Sequence, residues 1–360
     1  MNKFLGGEIE ILLEDLYKNS SNIPSISLPM PYTYWLDTGR SALYIALEDI
    51  LKKGGMRKAW LPAYCCESIL SPFKAHNFEI NFYSVGQAFA APEGLPPELD
   101  NQTFLYIHYF GKKNTAIEAW INNRISEGDK FYIIEDCVQA SLNSTIGKIG
   151  DYAITSYRKC LTQPDGALLG SKTNIDSKVD MPDESFISRR LLGKLLRQQD
   201  HAEKVFLKLF EESEEILDKQ NIPRTMSWLS KFLMARMDIK SISERRQKNY
   251  DSLLSFLSSF GLVGSGLSVI FDSFGPDEIP LGLPIRVHEN RRNDLKKFLA
   301  NHKIYCAVHW NLNHLARTEE WIKEINLSKQ ILTLPIDQRL DEQSLKYIAA
   351  TIRRFYNGES

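Results

Sequence analysis

Lys159 lies in the stretch "SYRKCLTQPDGALLGS", where an apolar strand runs out into a proline and an aspartate-glycine turn. A lysine there is either an ordinary solvated side chain or a nucleophilic amine held at the rim of a sheet. Asp136 closes the apolar run "YIIED", and Gln139 follows one turn later. Its carboxylate reads as a helix cap or as a partner for a protonated ring nitrogen. His108 ends "TFLYIH" and reads either as a packing residue or as a substrate contact. "TGRSAL" opens a helix with a glycine, so Gly39, Arg40 and Ser41 present free backbone donors at the positive end of the helix dipole, a natural phosphate site. A phosphate cradle, an acid for a ring nitrogen and a lysine amine are together the parts that pyridoxal 5'-phosphate requires. Desolvation and a neighbouring cation such as Arg158 would help to keep that lysine unprotonated part of the time.

These residues need elements that bring them to one edge. Ligands of an open α/β sheet sit beyond the carboxyl ends of its strands. The first two-thirds of the chain alternates strand-like and helix-like segments. "GRSALYIALEDILKKGG" puts Leu43, Leu47, Ile50 and Leu51 on one helical face and stops at Gly54-Gly55. "KAWLPAY", "INFYSV", "TFLYIHYF", "KFYIIEDC", "YAITSY" and "ALLGS" read as strands, with "ESILSPFKAHN" and "AIEAWINNRISEG" as helices. Continuous apolar runs between helices predict a mostly parallel sheet covered on both faces. Residues 183–257 read as charged helices, solvated or covering a dimer contact, broken at "NIPRTMS". Beyond residue 265 the pattern becomes a small α+β unit. There "IPLGLPIRV" is expected as an edge strand because of its prolines. "YCAVHW" and "ILTLPI" are short strands. "NRRNDLKKFLANH" is a helix with Leu295, Phe298 and Leu299 inward. "DEQSLKYIAATIRRF" is a closing helix capped by Asp341, with Leu345, Ile348, Ala349, Ile352 and Phe355 buried.

The 360 residues carry 44 basic and 45 acidic side chains, interspersed, for a net charge of −1. That balance excludes a basic nucleic-acid stripe and an acidic tail. Cys65, Cys66, Cys137, Cys160 and Cys306 form neither a disulfide framework nor a C-x-x-C metal pair, and no metal is expected. They read as reduced thiols of a cytoplasmic protein. "MNKFLGGEIEILLEDL" lacks the apolar core of a signal peptide. No apolar run approaches the roughly 18 residues of a membrane span.

Six segments, in order and at similar spacing, resemble the DegT/DnrJ/EryC1/StrS family of pyridoxal-phosphate sugar aminotransferases, of the aspartate-aminotransferase fold, fold type I. They are "GRSAL", "LPAYCCESIL", "IHYFG", "IEDCVQA", "GKIGDYAITSYRKCLTQPDGALLGS" and "NIPRTMSWLSKFLMARMDIKSISERRQKNY". "IEDCVQA" is the most specific of them. The resemblance implies a large cofactor-binding domain over residues 1–250 with a seven-stranded, mostly parallel sheet and a dimer-contacting helical segment at about 183–250. A small α+β domain would span 251–360.

The resemblance also implies roles. Lys159 would hold pyridoxal 5'-phosphate covalently and shuttle a proton. Asp136 would pair with the ring nitrogen, and Gln139 would contact the phenolic oxygen. Gly39, Arg40 and Ser41 would cradle the phosphate, Asn221 of a second subunit would approach it, and Ser156 would contact the cofactor. Tyr64 and Cys66 would border the ring, and His108 and His309 would face the sugar. Amino transfer from glutamate to a nucleotide-linked keto sugar by a homodimer is the activity implied, with a sugar dehydratase or a non-catalytic sugar-nucleotide binder as alternatives. The dehydratases replace the lysine or add a cysteine cluster, and this chain does neither. It departs from the family in four places: Arg40 stands for a threonine, the Ser156-to-Lys159 spacing is short, "PDGA" replaces a double glycine, and Cys65-Cys66 stand where an aromatic stacks.

Overall fold

Alternation of buried strands with amphipathic helices produces a layered sheet in the computed structural model, which describes residues 4–11, 26–86, 89, 92–315 and 319–359. Half of the N-terminal stretch read above, residues 1–3 and 12–16, lies outside the described residues. In chain order the elements begin with β1 (Leu5–Gly6), β2 (Tyr32–Leu36), α1 (Gly39–Lys52), β3 (Lys58–Pro62), α2 (Leu70–Ala75), β4 (Glu79–Tyr83), β5 (Thr103–Ile107) and α3 (Thr115–Ser126). β6 (Tyr132–Asp136), β7 (Tyr152–Ile154) and β8 (Ala167–Ser171) complete the large sheet. A helical stretch follows: α4 (Glu184–Leu196), α5 (Glu203–Lys219), α6 (Trp228–Met234) and α7 (Ile239–Ser259). The chain closes with β9 (Leu267–Val269), β10 (Leu283–Val287), α8 (Arg292–Asn301), β11 (Ile304–Tyr305), α9 (Ile322–Gln330), β12 (Ile331–Leu334) and α10 (Glu342–Asn357).

The seven strands lie in the order β2-β8-β7-β6-β5-β3-β4. β8 alone runs against its neighbours; the pairs among β3 to β7 are parallel. Every residue of β5 and β8 is buried, because helices cover both faces. α1 enters the core through Leu43, Leu47 and Ile50, with Leu51 half-buried. Its N-cap is Thr38, whose side chain accepts the Ser41 N–H at 3.2 Å. Gly54 ends the turn after α1 at φ 86°, a conformation that favours glycine.

The second core gathers α7, α8 and α10 on the sheet β12-β10-β9, and Leu5 from the chain start packs into it. Asp341 caps α10, accepting the Ser344 N–H at 2.8 Å. Leu345, Ile348, Ala349 and Ile352 are buried, while Phe355 and Phe298 are half-buried. Two strand readings change. β10 is the central strand rather than an edge. Pro284 lies opposite Ile270, just past the end of β9, where the Ile270 N–H donates to its carbonyl at 3.1 Å; proline returns no bond, so the ladder stops there. Of "YCAVHW" only Tyr305 lies in a strand, paired through β11 with β1, and Ala307 makes a lone bridge to Thr333.

α4 and α5 pack on each other, and the basic face of α4 holds the chain start. Arg190 and Lys194 pair with Glu8, and Lys194 also donates to the Ile9 carbonyl at 3.0 Å. Arg339 and Arg197 pair with Glu10. Gly111, at φ 95°, lets two parts of the chain meet: a Cβ there would stand 2.2 Å from the Ile279 carbonyl oxygen. No helix of the described residues is long and apolar enough to cross a membrane.

Candidate active site

Three strand ends and one helix start meet around a cavity of about 280 Å³. Thr38, Gly39 and Arg40 come from the start of α1, and Cys66 and Ser68 from the loop after β3. Asp136, Val138 and Gln139 follow β6; Ser156, Arg158 and Lys159 follow β7. Glu214 and Asp218 of α5 and Trp310 close the wall. A larger lobe of about 750 Å³ shares Arg158, Lys159, Glu214 and Trp310 and adds His309, Thr333, Arg246, Asp337 and residues 6–9. Lys159 therefore stands where the two spaces join.

Asp136 is the last residue of β6, and its side chain is buried. Oδ1 accepts the Val138 N–H at 2.9 Å. Burial pushes its pKa up, opposed by that N–H and by the charge of Lys159. Gln139 is 3% exposed. Its Oε1 accepts the Phe110 N–H at 2.6 Å, which fixes the amide and leaves Nε2 buried without a partner. Such an orphaned donor calls for a ligand acceptor. Ser156 is buried, and its N–H donates to Ser141 Oγ at 3.0 Å, which fixes the turn that carries Lys159. The Lys159 side chain is exposed to the cavity and forms no ion pair among the described residues.

The phosphate end differs from expectation. Gly39 packs on the sheet so closely that a Cβ would lie 3.3 Å from Val138 Cγ2, and it borders the cavity with Arg40. Ser41 turns away: its Oγ meets Gln220 Nε2 at 3.2 Å and the Arg224 N–H at 3.3 Å, in an adjoining hollow. Asn221 lines that same hollow beside α1 of its own chain. Arg40 donates through Nη1 to Asp218 Oδ1 at 2.9 Å and to the Leu217 carbonyl at 3.0 Å. Arg158 Nη1 donates to Glu214 Oε1 at 3.0 Å. Burial would raise the Glu214 pKa, yet Arg158 and Arg190 hold it down at about 2.

Two further expectations are corrected. His108 is fully buried and outside the cavity. Its Nε2 meets Glu135 Oε1 at 2.9 Å, and Nδ1 accepts the Asn114 N–H at 3.0 Å. Tyr64 is also fully buried: its hydroxyl donates to the His309 carbonyl, and its ring packs among Phe89, Tyr109 and Trp310. It props the wall without lining it. Cys66 does line it, with Sγ 3.0 Å from Ser68 Oγ. His309 lines the larger lobe, its Nδ1 2.9 Å from Thr333 Oγ1. Burial and the Lys159 charge pull its pKa down to about 3, so the ring is neutral at physiological pH. Glu214, Asp218 and Trp310 were not singled out from sequence, and Arg158 was named only as a cation beside Lys159. The adjacency of Arg158 to Lys159 and of Trp310 to His309, and the four-residue spacing of the two acids on α5, were the available signals.

Neither family models nor curated protein sequences match this chain. Solved structures do. Helicobacter pylori PseC, an aminotransferase of pseudoaminic acid biosynthesis, is 10% identical with a TM-score of 0.66, covering 99% of this chain and 100% of its own. The aminotransferase TlmJ from Streptoalloteichus hindustanus is 14% identical with a TM-score of 0.64, covering 91% and 86%. NtdA from Bacillus subtilis, solved with its cofactor PMP, is 14% identical with a TM-score of 0.63, covering 98% and 78%. The fold is thus that of the fold type I aminotransferases.

Proposed function

We propose that this chain, built on that fold, is a pyridoxal 5'-phosphate-dependent aminotransferase of the DegT/DnrJ/EryC1/StrS type. It would pass an amino group from glutamate to a nucleotide-linked keto sugar, in amino-sugar or surface-polysaccharide synthesis, as a cytoplasmic homodimer. One observation carries the reading: an unpaired lysine amine, a buried carboxylate and an orphaned amide donor share one cavity at adjacent strand ends.

The residues present fit the cofactor. Bound there, it supplies a carrier for the amino group and a sink for the electrons released when a C–H bond breaks. Asp136 would hold a proton on the ring nitrogen; its buried carboxylate gains from facing a cation. Gln139 Nε2 would donate to the phenolic oxygen. The N–H groups of Gly39 and Arg40 would bind the phosphate at the positive end of α1. Lys159 Nζ would hold the cofactor and would serve as the base that takes up and returns the α-proton. One amine serving two half-reactions implies ping-pong kinetics. His309, neutral and oriented by Thr333, hydrogen-bonds the acceptor in the larger lobe. That lobe's volume of about 750 Å³ supports an acceptor larger than an amino acid.

The test is optical and chemical. Purified protein mixed with pyridoxal phosphate turns yellow, and glutamate bleaches it. Borohydride reduction followed by peptide mapping then labels Lys159. A protein whose spectrum ignores the added cofactor, or a label on another lysine, overturns the reading. Incubation with nucleotide keto sugars and glutamate, read by mass spectrometry, identifies the acceptor, and light scattering reports the dimer.

A further inference from the structure

At the phosphate end of the cavity Arg40 and Arg158 pair with Glu214 and Asp218 of α5, and Arg158 shares Glu214 with Arg190. The pairing is loose. Arg40 Nη2 stands 4.0 Å from Glu214, beyond hydrogen-bond reach, and its Nη1 partner Asp218 is 71% exposed. Arg158 Nε is buried with no partner. A guanidinium offers five donors in a planar fork suited to two acceptor oxygens of one group. Neither arginine finds that here, although both line the cavity beside the first N–H groups of α1. The unpartnered Gln139 Nε2, 3% exposed, marks the same cavity as built for a ligand.

We infer that Arg40 and Arg158 form a guanidinium clamp for the phosphate dianion of the ligand, and that Glu214 and Asp218 stand in for that dianion when it is absent. This rests on the cofactor reading above and deepens it. The clamp supplies in this chain what the Ser41 hydroxyl, turned into the adjoining hollow, does not. Arrival of the phosphate exchanges carboxylate for phosphoryl oxygens and frees the last turn of α5.

The experiment measures equilibrium binding of pyridoxal phosphate and of pyridoxal, which lacks the phosphate, together with thermal shift in inorganic phosphate. The proteins are the full chain, Arg158→Gln and Asp218→Asn; the last is a surface change that leaves folding intact. Arg158→Gln is expected to weaken pyridoxal phosphate about tenfold or more and to leave pyridoxal unchanged. Asp218→Asn, by removing a competitor, is expected to tighten pyridoxal phosphate about threefold and to enlarge the shift in phosphate. Equal pyridoxal phosphate affinity in the full chain and Arg158→Gln overturns the clamp while the cofactor reading stands. If no protein binds either pyridoxal form, but the phosphate shift still follows Arg158 and Asp218, the clamp stands and the cofactor reading falls. An unaltered melting temperature in phosphate, with no discrimination between the two pyridoxal forms, overturns the clamp.

Discussion

His108 Nε2 and Glu135 Oε1 meet at 2.9 Å with neither residue exposed. Glu135 also accepts the N–H groups of Gly147, Ile149 and Gly150 at 2.5 Å, 3.3 Å and 3.2 Å. The pair therefore staples the loop after β6 to the end of β5. Cys137 brings a third donor atom within 4.8 Å, in a cluster whose carboxylate oxygens are already taken by these hydrogen bonds.

Removing one partner of a buried hydrogen bond to a charged group leaves the other unsatisfied and costs about 1–3 kcal/mol or more. Glu135→Gln is expected to lower stability by that amount in urea melts, and His108→Asn to do likewise. Burial raises the Glu135 pKa, but His108 and the backbone donors outweigh it and hold it at about 2, below its ordinary 4.5. The carboxylate's contribution to stability is thus complete above pH 4.5 and lost as pH falls toward 2. The Gln variant should show a flatter acid arm. A change in acceptor KM with unchanged stability would instead return His108 to the site.

Much of this was legible in the chain. Strands buried on two faces read as apolar runs, and polar residues at their ends mark the ligand edge, so Asp136, Gln139, Ser156 and Lys159 emerge from sequence. The direction of a side chain at a strand end is harder. Glu135 and Asp136 are neighbours in β6 and must point to opposite faces. Only one can line the cavity, and the other claims His108. Arg158, Glu214, Asp218 and Trp310 come together only through the packing of α5 and of the loop at residue 310 against the sheet. Sequence spacing does not encode that long-range closure. Tyr64 was misplaced for a related reason: its hydroxyl is spent on the His309 carbonyl, a partner 245 positions away.

Asp136→Asn separates folding from chemistry. A buried carboxylate with a raised pKa takes up its proton more readily folded than unfolded, so it costs stability at neutral pH and that cost vanishes as pH falls through its folded pKa. The amide carries no such cost. The variant is expected to melt at the same temperature as the parent or higher at pH 7. Its glutamate half-reaction should slow at least about 100-fold, because an amide cannot hold the ring proton in the same way. Stopped-flow bleaching measures the rate and calorimetry the stability.

Gln139 has two atoms with separate duties, and two variants divide them. Gln139→Leu deprives the buried Phe110 N–H of its acceptor and should cost about 1–3 kcal/mol of stability. Gln139→Glu keeps an acceptor there but loses the Nε2 donor. The buried carboxylate costs stability of its own, which calorimetry reports separately, and the variant should bind pyridoxal phosphate about tenfold more weakly, with an altered absorbance maximum. Equal cofactor affinity and spectrum in the Glu variant would remove Nε2 from the proposed site.

The neutral imidazole of His309 sets a second pH window, distinct from that of Glu135. Burial and the charge of Lys159 hold its pKa at about 3, against an ordinary 6.5. Between those values the unfolded chain binds a proton that the folded chain refuses, so stability declines as pH falls from 6.5 toward 3. His309→Gln retains a polar group near Thr333 without the titration, and its stability should be flatter across that interval. Because the ring also faces the larger lobe, the same variant is expected to raise the acceptor KM several-fold and leave the glutamate half-reaction untouched. Loss of the glutamate step in this variant would place His309 at the amine chemistry rather than at the acceptor.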